Sequence, residues 1–182
     1  MNRSLLLSTI FFIFYCSCSR LPAIEQDLKE SLNKPLHLSV SDIIHKGGDI
    51  LSYNDLRQKH EYLSVVYLED GCQPCIPKFI EWQHKMDSIG RPENYSILFV
   101  LQSDSYETFM INVLNTNHII DKYYTIIDSK YDFLTKNSSI PRWIIDASVL
   151  IDAENKIKMV GAPWLNEDMT QLFYETVNNS PE

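Results

Sequence analysis

Two cysteines separated by two residues could carry redox chemistry in this chain. Cys72 and Cys75 enclose Gln-Pro, follow the apolar run 63–68 and precede the amphipathic segment 76–89. A thiolate at a helix N-terminus is stabilised by free backbone N–H groups and by the helix dipole, which makes the first cysteine nucleophilic near neutral pH. The order of strand, turn, cysteine pair and helix therefore predicts thiol–disulfide exchange.

The helix after this pair should give the two cysteines different exposures. At about 3.6 residues per turn, Cys75 shares one stripe with apolar side chains, namely Phe79, Trp82, Met86 and Ile89. The opposite side carries polar side chains, namely Lys78, Glu81, His84 and Lys85. We therefore expect Cys75 to face the core as the resolving thiol and Cys72 to be the accessible, attacking thiol.

The first residues predict export. Arg3 supplies a positive charge, residues 5–15 form an apolar stretch, and Ser17 places a small residue before Cys18. The apolar stretch is too short to span a bilayer, so the pattern is typical of a secretory signal. We predict that residues 1–17 form a signal peptide.

Cys18 resembles the acceptor cysteine of a bacterial lipobox. We therefore predict that Cys18 carries lipid and that residues 18–34 form a lipid-anchored tether, with a short helix over its amphipathic patch 24–32. The alternative is ordinary cleavage near Ser19, which would discard Cys16 and Cys18. In either case the exported body keeps one cysteine pair, and export allows that pair to be oxidised.

Composition limits the classes of function. The chain has 182 residues, of which 45% are hydrophobic and 12% aromatic, which indicates a globular protein. The net charge of −8 without a basic cluster argues against binding to nucleic acid or to anionic lipid by charge. We expect one domain over residues 35–182, and the second half of the chain has no apolar stretch long enough to cross a membrane.

Apolar periodicity divides this domain into alternating elements. We predict strands at 36–40, 63–69, 95–101 and 123–128, a hairpin of 148–152 with 156–160, and helices at 52–59, 76–89, 105–114 and 166–177. Gly47-Gly48 predicts a turn, while Ser52 and Asn166 are suited to cap helices. This order predicts an α/β fold with a central mixed sheet and helices on both faces.

From Leu63 to its end the chain resembles thioredoxin-fold thiol–disulfide oxidoreductases, in particular exported TlpA-like redoxins and their lipoprotein relatives in the Bacteroides group. The segments that carry this resemblance are Cys72-Gln-Pro-Cys75, 78–82, 127–129, 149–157 and 160–163. The resemblance implies a thioredoxin-like fold, a location in the cell envelope facing the periplasm, and no cofactor or metal. It also implies that the partners are thiols or disulfides of envelope proteins and an unidentified redox partner.

Three positions near the cysteine pair depart from the family pattern. The buried carboxylate that thioredoxins often carry six positions before the first cysteine is replaced by Val66, and the tryptophan that commonly precedes this cysteine is replaced by Gly71. Glu69 and Asp70 are closer, and their negative charge would raise the pKa of Cys72. We expect both to begin a solvated loop, with a proton-relay role for Glu69 as the alternative.

The third departure concerns the substrate groove. The family usually places a cis-proline six residues before the hairpin aspartate Asp152, where this chain has Asp146, and the nearest proline is Pro141. We therefore predict that a loop over 137–147 packs beside the cysteine pair and that Asp146 and Ala147 line the groove. Because a non-proline cis bond is costly, the peptide bond before Asp146 should be trans. The Asp146 carboxylate should further raise the pKa of Cys72 and so make this cysteine a weaker nucleophile than in a typical thioredoxin.

Other interpretations stay open. The cysteine pair could be an inert structural disulfide, although so small a loop adds little stability. It could also handle copper, but no histidine has the spacing of a metal ligand; the histidines are His37, His45, His60, His84 and His118. The chain could be a binding module that keeps the fold without turnover. Trp143 and Trp164, in predicted loops, could contact substrate or anchor those loops.

Overall fold

A computed structural model describes residues 22–38, 43–90, 92–116 and 121–178. The predicted signal peptide and the lipidation site Cys18 lie outside these residues. The strands are β1 (Ile44–Lys46), β2 (Asp49–Leu51), β3 (Tyr62–Glu69), β4 (Tyr95–Gln102), β5 (Tyr124–Ile127), β6 (Val149–Ile151) and β7 (Ile157–Val160). The helices are α1 (Ala23–Ser31), α2 (Tyr53–Lys59), α3 (Cys75–Ile89), α4 (Tyr106–Thr116), α5 (Phe133–Lys136), α6 (Arg142–Ala147) and α7 (Glu167–Asn178).

The seven strands form one mixed sheet in the order β2-β1-β5-β4-β3-β6-β7. The central strands β3, β4 and β5 are parallel, and β6 runs antiparallel to β3 before the hairpin to β7. The near-continuous apolar sequences of β3 and β4 are explained by burial on both faces of the sheet. The α/β class, the central strands and the terminal hairpin are confirmed.

Two predicted helix caps are also confirmed. At α2, Ser52 Oγ accepts the Asp55 N–H at 3.1 Å while the Asp55 carboxylate accepts the Ser52 N–H at 3.1 Å, which is a capping box. At α7, Asn166 Oδ1 accepts the Met169 N–H at 2.9 Å. Each cap satisfies an N–H that the first helical turn leaves unpaired, so short-range sequence signals located both helix starts correctly.

The prediction of a strand at 36–40 is wrong over its described residues. Residues 36–38 have no strand structure, Pro35 forms an isolated bridge with Lys156, and residues 39–40 lie outside the described part. The turn at Gly47-Gly48 is confirmed, but the hairpin of β1 and β2 around it was not predicted. β1 pairs with β5 from the distant part of the chain, and no local periodicity reports such a pairing.

Apolar side chains fill both faces of the sheet. On the α3, α4 and α7 face, Phe79 lies at the centre, with its ring 4.6 Å from that of Phe99 and 5.4 Å from that of Phe109. On the α2, α5 and α6 face, buried residues include Leu56, Phe133 and Ile144. The stripe predicted for α3 is therefore confirmed for its buried members, and it holds the first turn of α3 against the sheet.

The helix predicted within the tether forms as α1. The backbone after it is hydrogen-bonded to the start of β7: the Asn33 N–H donates to Ile157 O at 2.8 Å, and the Ile157 N–H donates to Lys34 O at 3.0 Å. The Trp143 indole also donates to Asp27 Oδ2 at 3.0 Å. The described part of residues 18–34 therefore lies against the domain rather than apart from it.

A buried polar cluster connects the middle of α3 to β5. The Asp121 carboxylate, only 5% exposed, accepts from Gln83 Nε2 at 2.9 Å, from the Tyr106 hydroxyl at 2.8 Å and from the Tyr123 N–H at 3.3 Å. Gln83 Oε1 in turn accepts the Lys122 N–H at 3.1 Å. Burial raises the pKa of Asp121, while these hydrogen bonds act in the opposite direction.

Candidate redox site

Cys72 and Cys75 are joined by a disulfide, with their Cα atoms 5.3 Å apart. This separation is within the range that disulfides require. Cys75 is only 7% exposed and belongs to the core cluster, whereas Cys72 is half-buried at its edge. The predicted difference in exposure is confirmed, while the roles of attacking and resolving thiol stay predictions.

Backbone hydrogen bonds fix the turn that carries the pair. β3 ends at Glu69, whose N–H donates to Cys75 Sγ at 3.2 Å, and the Cys75 N–H donates to Cys72 O at 3.1 Å. Gly71 has a φ of +74°, a conformation that favours glycine. α3 begins at Cys75, so Pro77 falls in the first turn, where a missing N–H removes no helical hydrogen bond.

A cavity of about 350 Å³ opens beside the disulfide. Its lining residues come from β3, the cysteine turn, α3 and α6, and they are Tyr67, Glu69, Cys72, Pro74, Cys75, Lys78, Arg142 and Asp146. The structure thus places the predicted groove residue Asp146 in the same cavity as both cysteines. Ala147, the other predicted groove residue, is exposed at the end of α6 and does not line this cavity.

The loop predicted over 137–147 is helical in its second half, where α6 forms. Pro141 is the N-cap of α6, and all peptide bonds of the described residues are trans, including the bond before Asp146. Ile144 and Ile145 are buried on the sheet side of α6, and Arg142 pairs with Asp146 one turn later at 2.8 Å. So short a helix depends on tertiary packing, which explains why its sequence alone did not predict it.

Arg142 organises the acidic side of the cavity. Its guanidinium donates to Glu69 Oε1 at 2.7 Å and to Asp146 Oδ1 at 2.8 Å, and it lies 5.0 Å from the centre of the Tyr67 ring. The hydrogen bond from Arg142 is the main reason why the pKa of Glu69 is lowered. The negative charge expected to oppose a thiolate here is therefore partly offset by a cation that sequence reasoning did not place in the site.

Tyr67 connects the cavity to the sheet. Its hydroxyl donates to Glu69 Oε1 at 3.1 Å and also contacts Gln102 Oε1. Burial is the main cause of a raised pKa for Tyr67, followed by the charge of Glu69. Tyr67 is therefore a neutral hydrogen-bond donor, and the partly exposed Glu69 carboxylate accepts hydrogen bonds from both Tyr67 and Arg142 at the end of β3.

Lys78 was predicted on the side of α3 opposite the apolar stripe, and from there its side chain reaches into the cavity. The side chain is half-buried, and Nζ donates to Asp146 O at 2.8 Å and to Tyr67 O at 3.2 Å. Burial lowers the pKa of Lys78. A long flexible stem can carry an ammonium away from the face to which helical periodicity assigns the residue. Its position one turn after Cys75 was the only sequence signal for this location.

The remaining predicted positions have structural roles. Val66, which stands where thioredoxins often carry a carboxylate, is fully buried in the same core cluster as Cys75. Trp164 packs edge-on against Trp82 with ring centres 4.4 Å apart, and Trp143 is tied to α1 by the hydrogen bond to Asp27. These contacts favour the loop-anchoring interpretation of both tryptophans over contact with substrate.

The described ranges contain neither a cluster of metal ligands nor a membrane-spanning helix. No group of three or more His, Cys, Asp or Glu side chains there could hold a metal ion. Likewise, no described helix combines the length and apolar character that a membrane crossing requires. His118 lies outside the described residues.

No family model matches this chain, and no curated protein matches it in sequence. Solved structures do match. Thioredoxin from Wuchereria bancrofti is 12% identical, covers 76% of this chain and 97% of its own length, and superposes with a TM-score of 0.52. A thiol-disulfide oxidoreductase from Bacteroides fragilis NCTC 9343 is 13% identical, with coverages of 71% and 95% and a TM-score of 0.51.

A putative electron transfer protein from Aquifex aeolicus VF5 is also similar, with 14% identity, coverages of 79% and 97% and a TM-score of 0.53. At these identities the likeness establishes the fold. The chain has a thioredoxin-like fold, as predicted, and it resembles thiol–disulfide oxidoreductases in structure. Its cysteine pair forms a disulfide at the start of α3.

Proposed function

We propose that this chain is an exported thiol–disulfide oxidoreductase that exchanges disulfides with proteins of the cell envelope. One observation carries the proposal: a disulfide lies at the N-terminus of α3, with one half-buried cysteine, one buried cysteine and a cavity beside them. An accessible thiol next to a buried one is the arrangement that lets a mixed disulfide form and then be resolved.

The exchange has two balanced steps. In the reduced protein, the Cys72 thiolate attacks a disulfide sulfur of the partner, forms a mixed disulfide and releases the partner's second sulfur as a thiolate. Cys75 then loses its proton and attacks Cys72 Sγ, which restores the Cys72–Cys75 disulfide and releases the partner's first sulfur. The partner gains the two electrons that the cysteine pair loses, and the reverse sequence oxidises a partner dithiol.

Trapping by single cysteine variants tests this proposal. Cys75→Ser in the full-length chain should accumulate mixed disulfides with partner proteins, whereas Cys72→Ser should accumulate none. Reduction of insulin by the reduced wild-type chain should be lost in both variants and kept in a Cys16→Ser control. Wild-type rates of insulin reduction in both single variants would contradict the exchange function.

The proposed location rests on the sequence of the first residues. The pattern of residues 1–18 supports export and a lipid on Cys18, which would hold the domain at a membrane facing the periplasm. Radiolabelled fatty acid should enter the wild-type chain and a Cys16→Ala control but not Cys18→Ala. Equal labelling of Cys18→Ala, or a mature N-terminus mapped elsewhere, would contradict the lipid anchor.

One observation favours a second candidate, a binding module without turnover. The segment next to the cysteine pair is the helix α6 with trans peptide bonds, where the family usually presents a cis-proline. A redox titration of the full-length chain, read by thiol alkylation, separates the two candidates. A potential between about −120 and −270 mV supports exchange, and one below about −300 mV supports a locked structural disulfide.

A further inference from the structure

We propose that the Lys78 ammonium stabilises the thiolate form of Cys72 across the redox cavity and so sets how readily this cysteine reacts. Lys78 is then a positioning residue for the exchange reaction, and its role in that reaction depends on the function proposed above. Four charged side chains line the cavity: Glu69, Lys78, Arg142 and Asp146.

The Lys78 ammonium makes no direct ion pair among the described residues, and the charge of Asp146 favours it only from beyond contact distance. Both cavity carboxylates are bound by Arg142, at 2.7 Å for Glu69 and 2.8 Å for Asp146. The Lys78 ammonium instead donates to two neutral backbone carbonyls, those of Tyr67 and Asp146. Among the described residues no carboxylate oxygen lies within 4.0 Å of its Nζ. An ammonium has three N–H donors, so one donor is available to a further acceptor.

A half-buried charge whose hydrogen-bond partners are neutral is costly, because burial removes water, and the charge of Asp146 offsets only part of this cost. The lowered pKa of Lys78 has burial as its main cause and agrees with this position. Reduction of the disulfide adds a further anion beside Lys78. Two electrons from a dithiol reductant and one proton convert the Cys72–Cys75 bond into a Cys72 thiolate and a Cys75 thiol, and the new negative charge appears at the wall of the same cavity.

The groups that face the cavity from each element determine the sign of the effect. β3 contributes Glu69 and the neutral Tyr67, α6 contributes Arg142 and Asp146, and α3 contributes Lys78 together with its N-terminal N–H groups. Two cations therefore balance two carboxylates. Removing the charge of Lys78 leaves this lining with a net charge of −1. This net negative charge would disfavour a thiolate and raise the pKa of Cys72.

Two further carboxylates lie near this site. Asp128 is buried, its charge acts on Tyr67, and it accepts hydrogen bonds from the Asp132 and Phe133 N–H groups. Asp70 lies in the cysteine turn. It is exposed, and it accepts hydrogen bonds from the Gly71 N–H at 2.9 Å and from the Ser103 hydroxyl at 3.0 Å. Asp70 does not line the cavity, and water screens an exposed charge more strongly than one in the cavity wall. Arg142 already binds both cavity carboxylates, so Lys78 is the cavity cation that makes no direct ion pair and keeps a donor for the Cys72 thiolate.

The test measures the pH at which alkylation of Cys72 by iodoacetamide is half-maximal. The full-length chain carries Cys16→Ser, Cys18→Ser and Cys75→Ser, so that Cys72 is its single thiol. Lys78→Gln keeps amide N–H donors for both carbonyls but removes the charge, and it should raise this midpoint by about one pH unit. Below the midpoint a one-unit shift leaves about one tenth of the thiolate, but a thiolate of higher pKa is intrinsically more nucleophilic. Alkylation of Lys78→Gln should therefore be about threefold slower.

Three further variants complete the design. Lys78→Arg keeps the charge and should keep the wild-type midpoint, and so should Lys85→Gln, which removes an exposed cation from the outer face of α3. Lys78→Met, a second neutral variant, should repeat the shift of Lys78→Gln. With Cys75 restored, Lys78→Gln should have a redox potential about 30 mV more negative, which corresponds to a tenfold change in the equilibrium constant.

An unshifted midpoint in both neutral variants would overturn the role of Lys78, since a purely structural residue would change unfolding without changing this midpoint. Alkylation needs no partner protein, so the result is independent of the exchange function. A shifted midpoint without trapped mixed disulfides would support Lys78 and contradict exchange. Trapped mixed disulfides without a shift would support exchange and contradict Lys78.

Discussion

Helix α3 contributes to two polar clusters, and the buried charged group of each cluster has different hydrogen-bond partners. In its middle, Gln83 meets Asp121, whose two carboxylate oxygens receive three hydrogen-bond donors. At its N-terminus, the redox cavity is open, and the Lys78 ammonium has only carbonyl partners. In the first cluster both oxygens of the central carboxylate accept hydrogen bonds, whereas in the second the Lys78 ammonium has one N–H donor without a partner in the described contacts.

This difference separates a structural cluster from a chemical one. A satisfied buried carboxylate rigidifies the contact between α3 and the segment before β5, because removing any partner leaves another polar group unpaired. In the redox cavity the Lys78 ammonium donates only to neutral carbonyls, which stabilises the fold less but leaves a donor for a thiolate when the disulfide is reduced. Substitutions in the two clusters should therefore change different measured quantities.

The largest effect is expected at Asp121. Asp121→Ala removes the acceptor of Gln83, Tyr106 and the Tyr123 N–H, and should lower the free energy of unfolding by about 3 kcal/mol. Urea denaturation measures this loss. The control Asp87→Ala removes an exposed carboxylate that pairs with Lys122 and should cost less than about 1 kcal/mol. The redox potential should stay at its wild-type value in both, and a large change in Asp121→Ala would mean that the clusters are coupled.

The pH dependence of stability sharpens the same contrast. Because the folded state raises the pKa of Asp121, the protonated carboxyl is favoured in the fold, and this contribution to stability is lost as pH rises above the unfolded value of 3.8. Asp121→Asn has no such titration. The free energy of unfolding of wild type, relative to that of Asp121→Asn, should therefore decrease as the pH is raised from acidic to neutral. Urea midpoints of both proteins measure this difference. A difference that does not change with pH would contradict a raised pKa at Asp121.

The smallest effect on stability is expected at Arg142. Arg142→Gln removes the main cause of the lowered pKa of Glu69, so NMR titration should show this pKa moving up toward its ordinary value. In wild type the depressed pKa contributes stability above the unfolded value, and that contribution is lost as pH falls through the folded value. Because both side chains are partly exposed, the change in unfolding free energy at neutral pH should be below about 1 kcal/mol.

Lys136→Gln is the matched control for Arg142→Gln, since it breaks an ion pair with Asp132 on α5, away from the lining of the redox cavity. It should leave the pKa of Glu69 unchanged. A loss of stability at Arg142→Gln as large as that at Asp121→Ala would show that the redox cavity is a structural cluster as well.

Local signals in the sequence were sufficient for much of the fold. The alternation of buried strands and amphipathic helices, the caps at Ser52 and Asn166 and the terminal hairpin all depend on residues within a few positions of one another. The same kind of signal predicted that Cys75 is more buried than Cys72, because helical periodicity assigns the face on which each residue lies.

The sequence by itself therefore determined the fold class, the cysteine pair and its place at a helix start. Only the tertiary structure decided what surrounds that pair. α6 is helical because Ile144 and Ile145 pack against distant parts of the chain, and β1 forms because β5 lies beside it. Arg142 and Lys78 reach the cavity through long side chains whose acceptors lie on other elements. Such contacts join residues far apart in sequence, so their energies leave no periodic signal along the chain.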